Sequence, residues 1–135
     1  MKYPFIFQKN SNDCGPTCIF MLCEYYRIPY NPNEILNLSN LSSKGTSIWN
    51  MQIILQSLGF SCQAKYLYNF LNYNYSFPII ALIKTSNNLF HYVIIYKKYK
   101  HSLYVADPAF GIKVISTRDF LLNFTYMTII PKFNK

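Results

Sequence analysis

The sequence predicts an α+β domain, a helical N-terminal half followed by an antiparallel sheet. Three observations carry this. Before Phe60, apolar residues recur at helical spacing between capping and breaking residues. From Phe60 onward they alternate with polar ones, as in half-buried strands. A short polar turn separates two of the strongest alternating segments, which suits a hairpin.

Taken in order, residues 1–10 read as extended. A first helix starts near Asp13 and runs to about Tyr26, with Asn12 or Asp13 as its cap. Pro16 is tolerated there because first-turn N–H groups have no intrahelical acceptor. Cys18, Leu22 and Tyr25 or Tyr26 mark a buried face. Arg27 suits the C-terminal end, and Pro29 stops continuation. Asn31-Pro32-Asn33-Glu34 reads as a second helix start: a capping side chain, a proline at the first helical position, then an acid. That helix ends near Leu38. A third follows Gly45-Thr46-Ser47, with Ile48, Met51, Leu55 and Leu58 on one stripe and Gly59 closing it. Then Cys62, Ala64, Tyr66 and Tyr68 alternate with Gln63 and Lys65. Strands are expected over 77–84, 89–97, 102–106 and 112–115. Ser116 or Thr117 caps a short helix reaching about Phe124, and 126–130 is a last strand.

A length of 135 residues suffices for one domain, 1–135, with a real core, and an apolar content of 51% argues against disorder. The longest apolar run, 77–83, is strand-sized, and no signal peptide precedes it. A cytoplasmic chain, or a part of something larger, is expected. Three of the four cysteines fall in one helix and are poorly placed to bridge, so reduced thiols are expected. Their spacing lacks a zinc knuckle, and His91 and His101 are not spaced as paired ligands, so neither metal nor cofactor is expected. The net charge of +8 comes from scattered lysines, with a small knot at Lys97, Lys98 and Lys100 that reads as an exposed turn. Nucleic acid is not the expected partner; an acidic peptide or an anionic surface fits such a charge.

The chemistry lies in FQKNSNDCGPTC, LFHYVIIY and VADPAFG. Cys14 stands at the start of the first helix, where the helix dipole and unpartnered N–H groups favour thiolate. Gln8, shortly upstream, offers an amide donor beside that sulfur. His91 supplies an imidazole and Asp107 a carboxylate to orient it. These are the parts of a cysteine protease. If the hairpin turn is centred on Tyr99, His91 and Asp107 fall directly opposite each other, about 5 Å apart at Cβ. Pro108 favours the extended backbone that keeps Asp107 in its strand. The plainer readings are kept for the remaining residues. Cys18, Cys23 and Cys62 are core, His101 lies in a turn, and Asp13 is a cap outside the catalytic set. Gly45-Thr46-Ser47 is turn and cap, and Trp49 is a packing residue.

The ordered set resembles the peptidase C39 domain over about the whole chain. It comprises Gln8; Asp13-Cys14-Gly15-Pro16 with Cys18; Gly45-Thr46-Ser47 before a helix ending Leu58-Gly59-Phe60; His91-Tyr92-Val93; and Asp107-Pro108. The resemblance implies a papain-like fold and a cysteine endopeptidase. It would cut the leader of a bacteriocin-like precursor peptide after a double-glycine motif, coupled to export by an ABC transporter. By that resemblance Cys14 is the nucleophile, His91 the general base, Asp107 its orienter and Gln8 the oxyanion donor. The partners implied are the precursor peptide and the transmembrane and ATP-binding parts of the transporter, in the same chain or a separate one. The implied location is the cytoplasmic face of the bacterial membrane. The chain departs from the family where Trp-x-Gly is usual and Asn123-Phe124-Thr125-Tyr126 stands instead. The sequence ends about where the family's peptidase domain does, which suggests an excised domain or a stand-alone peptidase. Two other readings are a non-catalytic leader-docking module and a papain-like acyltransferase.

Overall fold

A computed structural model describes residues 2–74 and 76–133. The helices are α1 (Cys14–Tyr26), α2 (Pro32–Leu38), α3 (Ile48–Ser57) and α4 (Thr117–Leu121). The strands are β1 (Phe60–Tyr66), β2 (Ile79–Lys84), β3 (Phe90–Tyr99), β4 (Ser102–Asp107), β5 (Gly111–Ser116) and β6 (Phe124–Phe133). They form one sheet in the order β1-β6-β2-β3-β4-β5, with antiparallel neighbours throughout. The helical half followed by an antiparallel sheet is the predicted architecture. No described helix is long and apolar enough to cross a membrane.

Each face of the sheet carries its own core. Alternation along β3 sends Tyr92 and Ile94 to the face covered by α1 and α3, among Cys18, Leu22, Met51 and Leu55. Val93 and Ile95 go to the other face, which Phe70, Phe120 and Phe124 cover. The interdigitated side chains on both faces hold β3 rigidly in the middle of the molecule.

Local chemistry explains most element ends. Asn31 caps α2 by accepting from the Asn33 and Glu34 N–H groups, with Pro32 at the first helical position. Ser47 caps α3 and Ser116 caps α4. Arg27 ends α1 in the left-handed conformation, its N–H directed to the Cys23 and Glu24 carbonyls.

Several expectations are corrected. No side chain among the described residues caps α1. The Asp13 carboxylate instead accepts from the Asn10 backbone and side chain, and the Asn12 side chain donates to the Ser42 carbonyl. The alternation of β1 ends at Tyr66, which is exposed, and the inward residue is Leu67. Helix α4 stops at Leu121 rather than near Phe124, because Lys84 and Asn123 bond each other's backbone and draw the chain into the sheet. Strand β6 therefore starts earlier than expected and runs on to Phe133. Trp49 is not a packing residue: 69% of it is exposed. Lys98 is not part of an open turn. Its ammonium donates to the carbonyls of Phe70, Leu71 and Tyr73, pinning a short 3-10 turn against the sheet.

Candidate active site

Cys14 is the first residue of α1 and is buried at the helix N-terminus. Two features set its position. Gly15 lets α1 approach the sheet: a Cβ there would lie 2.9 Å from the Met51 sulfur and 3.3 Å from the Tyr92 ring. Thr17 bonds back to the Asp13 carbonyl through both its N–H and its hydroxyl, at 3.0 and 2.8 Å. Pro16 has no N–H, and among the described residues no side chain takes up the other first-turn donors, Cys14 and Gly15.

His91 and Asp107 meet, but not by the predicted register. The hairpin turns at Lys100 and His101, so that Tyr99 faces Ser102. Further along, Ile94 faces Ala106 and Ile95 faces Val105, with a bulge at Tyr96 between them and the turn. Continued, that register sets Val93, not His91, opposite Asp107. His91 reaches Asp107 diagonally: its Nε2–H donates to Oδ1 at 2.6 Å. Diagonal neighbours are about 7–8 Å apart, within reach of a ring and a carboxylate. The bulge is essential to this. A one-residue slip flips every side chain to the opposite face. Were Tyr96 paired as a regular ladder residue, Asp107 would share a face with Ile94 and point away from His91. The Tyr96 hydroxyl is fixed by the Pro4 carbonyl at 2.6 Å.

The His91–Asp107 pair is well sheltered, with side chains 12% and 2% exposed. Burial opposes the His91 cation, but hydrogen bonds to Asp107 and Cys14, and their charges, outweigh it and raise its pKa to about 9. Burial likewise opposes the Asp107 anion. The hydrogen bond and charge of His91, the Ala109 N–H and Lys113 outweigh it, and the pKa falls. With Nε2 committed to Asp107, Nδ1 is the ring nitrogen left for Cys14. Burial raises the remaining thiols: Cys18 well above the ordinary value, Cys23 to about 12, and Cys62 upward.

Gln8 sits on the extended N-terminal segment, which is tied to the same corner as Asp107. Its backbone N–H donates to the Pro108 carbonyl at 2.9 Å. Its side-chain Nε2 donates to the Asn10 carbonyl at 2.7 Å, while its Oε1 is buried with no partner among the described residues. Gln8 makes its hydrogen bonds to Asn10 and Pro108, and none of them reaches Cys14.

Cys14 lines two adjoining clefts of about 480 and 330 Å³. Gly45 and Lys44 form one wall of both, and Phe90 the other. Thr46 and Ser47 belong to the larger cleft. The Thr46 carbonyl is held by the Tyr92 hydroxyl at 2.9 Å, fixing the wall to the sheet. The residue types at 45–47 predict a turn and cap. Ser47 does cap α3, but the stretch also borders Cys14. The run Gly-Thr-Ser carries no signal that separates the two roles.

At the departure from the family pattern, Tyr126 holds φ 70°, in the left-handed region that favours glycine. Its ring contacts with Tyr68 and Phe124 oppose the strain.

A sequence profile of the Peptidase C39 family matches residues 2–135. The lactococcin-G-processing and transport ATP-binding protein LagD of Lactococcus lactis is 28% identical over 129 residues, covering 94% of this chain. The transport/processing ATP-binding protein ComA of Streptococcus pneumoniae is 26% identical over 109 residues, covering 79%. The chain spans only 18% and 15% of those relatives' lengths. The peptidase domain of Streptococcus ComA superposes with a TM-score of 0.89 at 23% identity, covering 98% of this chain and 99% of that one. A double glycine motif protease from an AMS/PCAT transporter, solved with a leader peptide, superposes at 0.86 and 23% identity, covering 97% and 91%. The fold is that of these peptidase domains.

Proposed function

The chain belongs to the Peptidase C39 family, and from that premise we propose that residues 1–135 act as a cysteine peptidase domain. It cuts the leader of a secreted peptide precursor after a double-glycine motif, at the cytoplasmic face of a membrane and coupled to export by an ABC transporter. The observation that carries this reading is the sheltered His91–Asp107 pair interacting with a cysteine at an uncapped helix start. The relatives named above are processing and transport proteins, which supports the coupling to export.

Cys14 Sγ attacks the carbonyl carbon of the second glycine. The carbonyl oxygen takes up the electron pair and is met by the Cys14 N–H and the second N–H of the Gln8 amide, the first being held by Asn10. The C–N bond breaks as His91 protonates the leaving amine, leaving a thioester on Cys14. His91 then takes a proton from water, hydroxide adds to the thioester, the C–S bond breaks to return the Cys14 thiolate, and the leader departs with a free carboxylate. Asp107 keeps the ring aligned throughout.

The test is incubation with a precursor carrying a double-glycine leader, read by mass spectrometry beside Cys14→Ala. Cleavage at the glycine pair by wild type alone is expected. Tight leader binding without cleavage would favour a docking module. Transfer of the acyl group to an added amine in place of water would favour an acyltransferase.

A further inference from the structure

We propose that the pocket beside His91, on the sheet face opposite the Cys14 clefts, receives an apolar side chain from the first two residues of the released peptide. The proposal rests on the cleavage reading above and adds a specificity site to it.

Three observations lead there. First, the strand divides the surroundings. Phe90 and Tyr92 line the larger Cys14 cleft, while His91 and Val93 line a separate pocket of about 280 Å³. The His91 ring therefore stands between the two spaces. Second, the chemistry gives each space a side. Sulfur bonds to the acyl carbon, so the leader lies in the clefts that contain Cys14. The imidazole must reach the leaving nitrogen, so the departing chain lies on its side of the bond. Successive residues of an extended chain advance only about 3.3 Å. The first two residues after the cut thus stay within reach of the His91 pocket. Third, the lining chooses the side chain. Val93, Val105 and Phe120 are buried and apolar, and Ile83 and Ile115 complete the wall. A volume of about 280 Å³ has room for one large side chain. His91 and Asp107 pair with each other; of the remaining charged lining residues Lys84 and Lys113 outnumber Asp119, which suits neither a lysine nor an arginine, and both lysines are exposed, where solvent screens their attraction for an acid.

The experiment uses the whole chain and one leader ending in Gly-Gly. One substrate series continues into a peptide with Leu, Phe, Gly, Asp or Lys at the first or second downstream position. A second substrate ends in a methyl thioester and has nothing downstream. Ser86, an exposed residue of the pocket lining, is changed to Trp to obstruct it, and Ile115→Trp serves as an independent obstruction. In wild type, Leu or Phe should raise kcat/KM by roughly 10-fold over Gly, Asp or Lys. In either variant that preference should collapse while thioester hydrolysis stays within about twofold. Equal kcat/KM across the peptide series, or a preference that both variants retain, overturns the pocket assignment while leaving the peptidase intact. Failure of wild type on peptide and thioester alike overturns the cleavage reading and this proposal with it.

Discussion

His91 keeps its proton to about pH 9 because Asp107 and Cys14 together outweigh the cost of burying it. That sets the direction of two pH dependences. A base whose pKa rises on folding, here from 6.5 to about 9, stabilises fully below 6.5 and loses that contribution as pH rises through 9. Asp107 works in the opposite sense: its contribution is present above 3.8 and fades as pH falls through its lowered pKa. Thermal melts should therefore show greatest stability between these limits, and His91→Gln should flatten the alkaline decline. Cleavage should also fall above about pH 9, where the imidazole no longer carries the proton due to the leaving amine. At Gln8, loss of the amide donor in Gln8→Ala should lower kcat by about 10²–10³ with little change in KM. Thiol alkylation at mildly acidic pH separates reactivity from exposure. Cys62 is the more exposed thiol, yet Cys14, facing His91, should be labelled first.

At the scale of elements, two devices bring the site together. The bulge at Tyr96 sets the parity of the hairpin and so puts His91 and Asp107 on one face. Deleting Tyr96 removes only the extra residue and leaves Ile95 opposite Val105, so the pair should stay together, with the His91 pKa measured by NMR remaining at about 9, while loss of the Pro4 contact lowers the melting temperature. Tyr96→Phe, which keeps the residue count, should retain most activity. Gly15 sets the depth of α1. Gly15→Ala forces a methyl against Met51 and Tyr92 and should cost about 1–3 kcal/mol while displacing Cys14. The contrast shows what the sequence made legible. Cys14, His91 and Asp107 were readable because each sits in a chemically specific local pattern. The strand that carries His91 was readable from its alternation. The register was not, because the bulge is held by a hydroxyl that reaches Pro4, 92 residues away. The exposure of Trp49 and the placement of 45–47 beside Cys14 were hidden likewise, since both depend on which neighbours the fold supplies.

Across the whole molecule, the helical half and the sheet are tied at three points around the cleft. These are the Tyr92 hydroxyl to Thr46, the Tyr96 hydroxyl to Pro4, and the Gln8 N–H to Pro108. Each joins a segment bearing or bordering a site residue to the strand or corner that bears another, so the site is assembled by global folding and not by one motif. The net charge of +8 acts at this scale too. If the leader is acidic, raising salt should increase KM by slowing encounter while leaving kcat nearly unchanged. The central claim is that Cys14 attacks the bond after a glycine pair. The most direct test is mass spectrometry of wild type quenched in acid during turnover of a double-glycine precursor. A leader-sized adduct on the Cys14 peptide, absent from Cys14→Ala, is the predicted result. Undiminished cleavage by Cys14→Ala, or an adduct on any other cysteine, would contradict it.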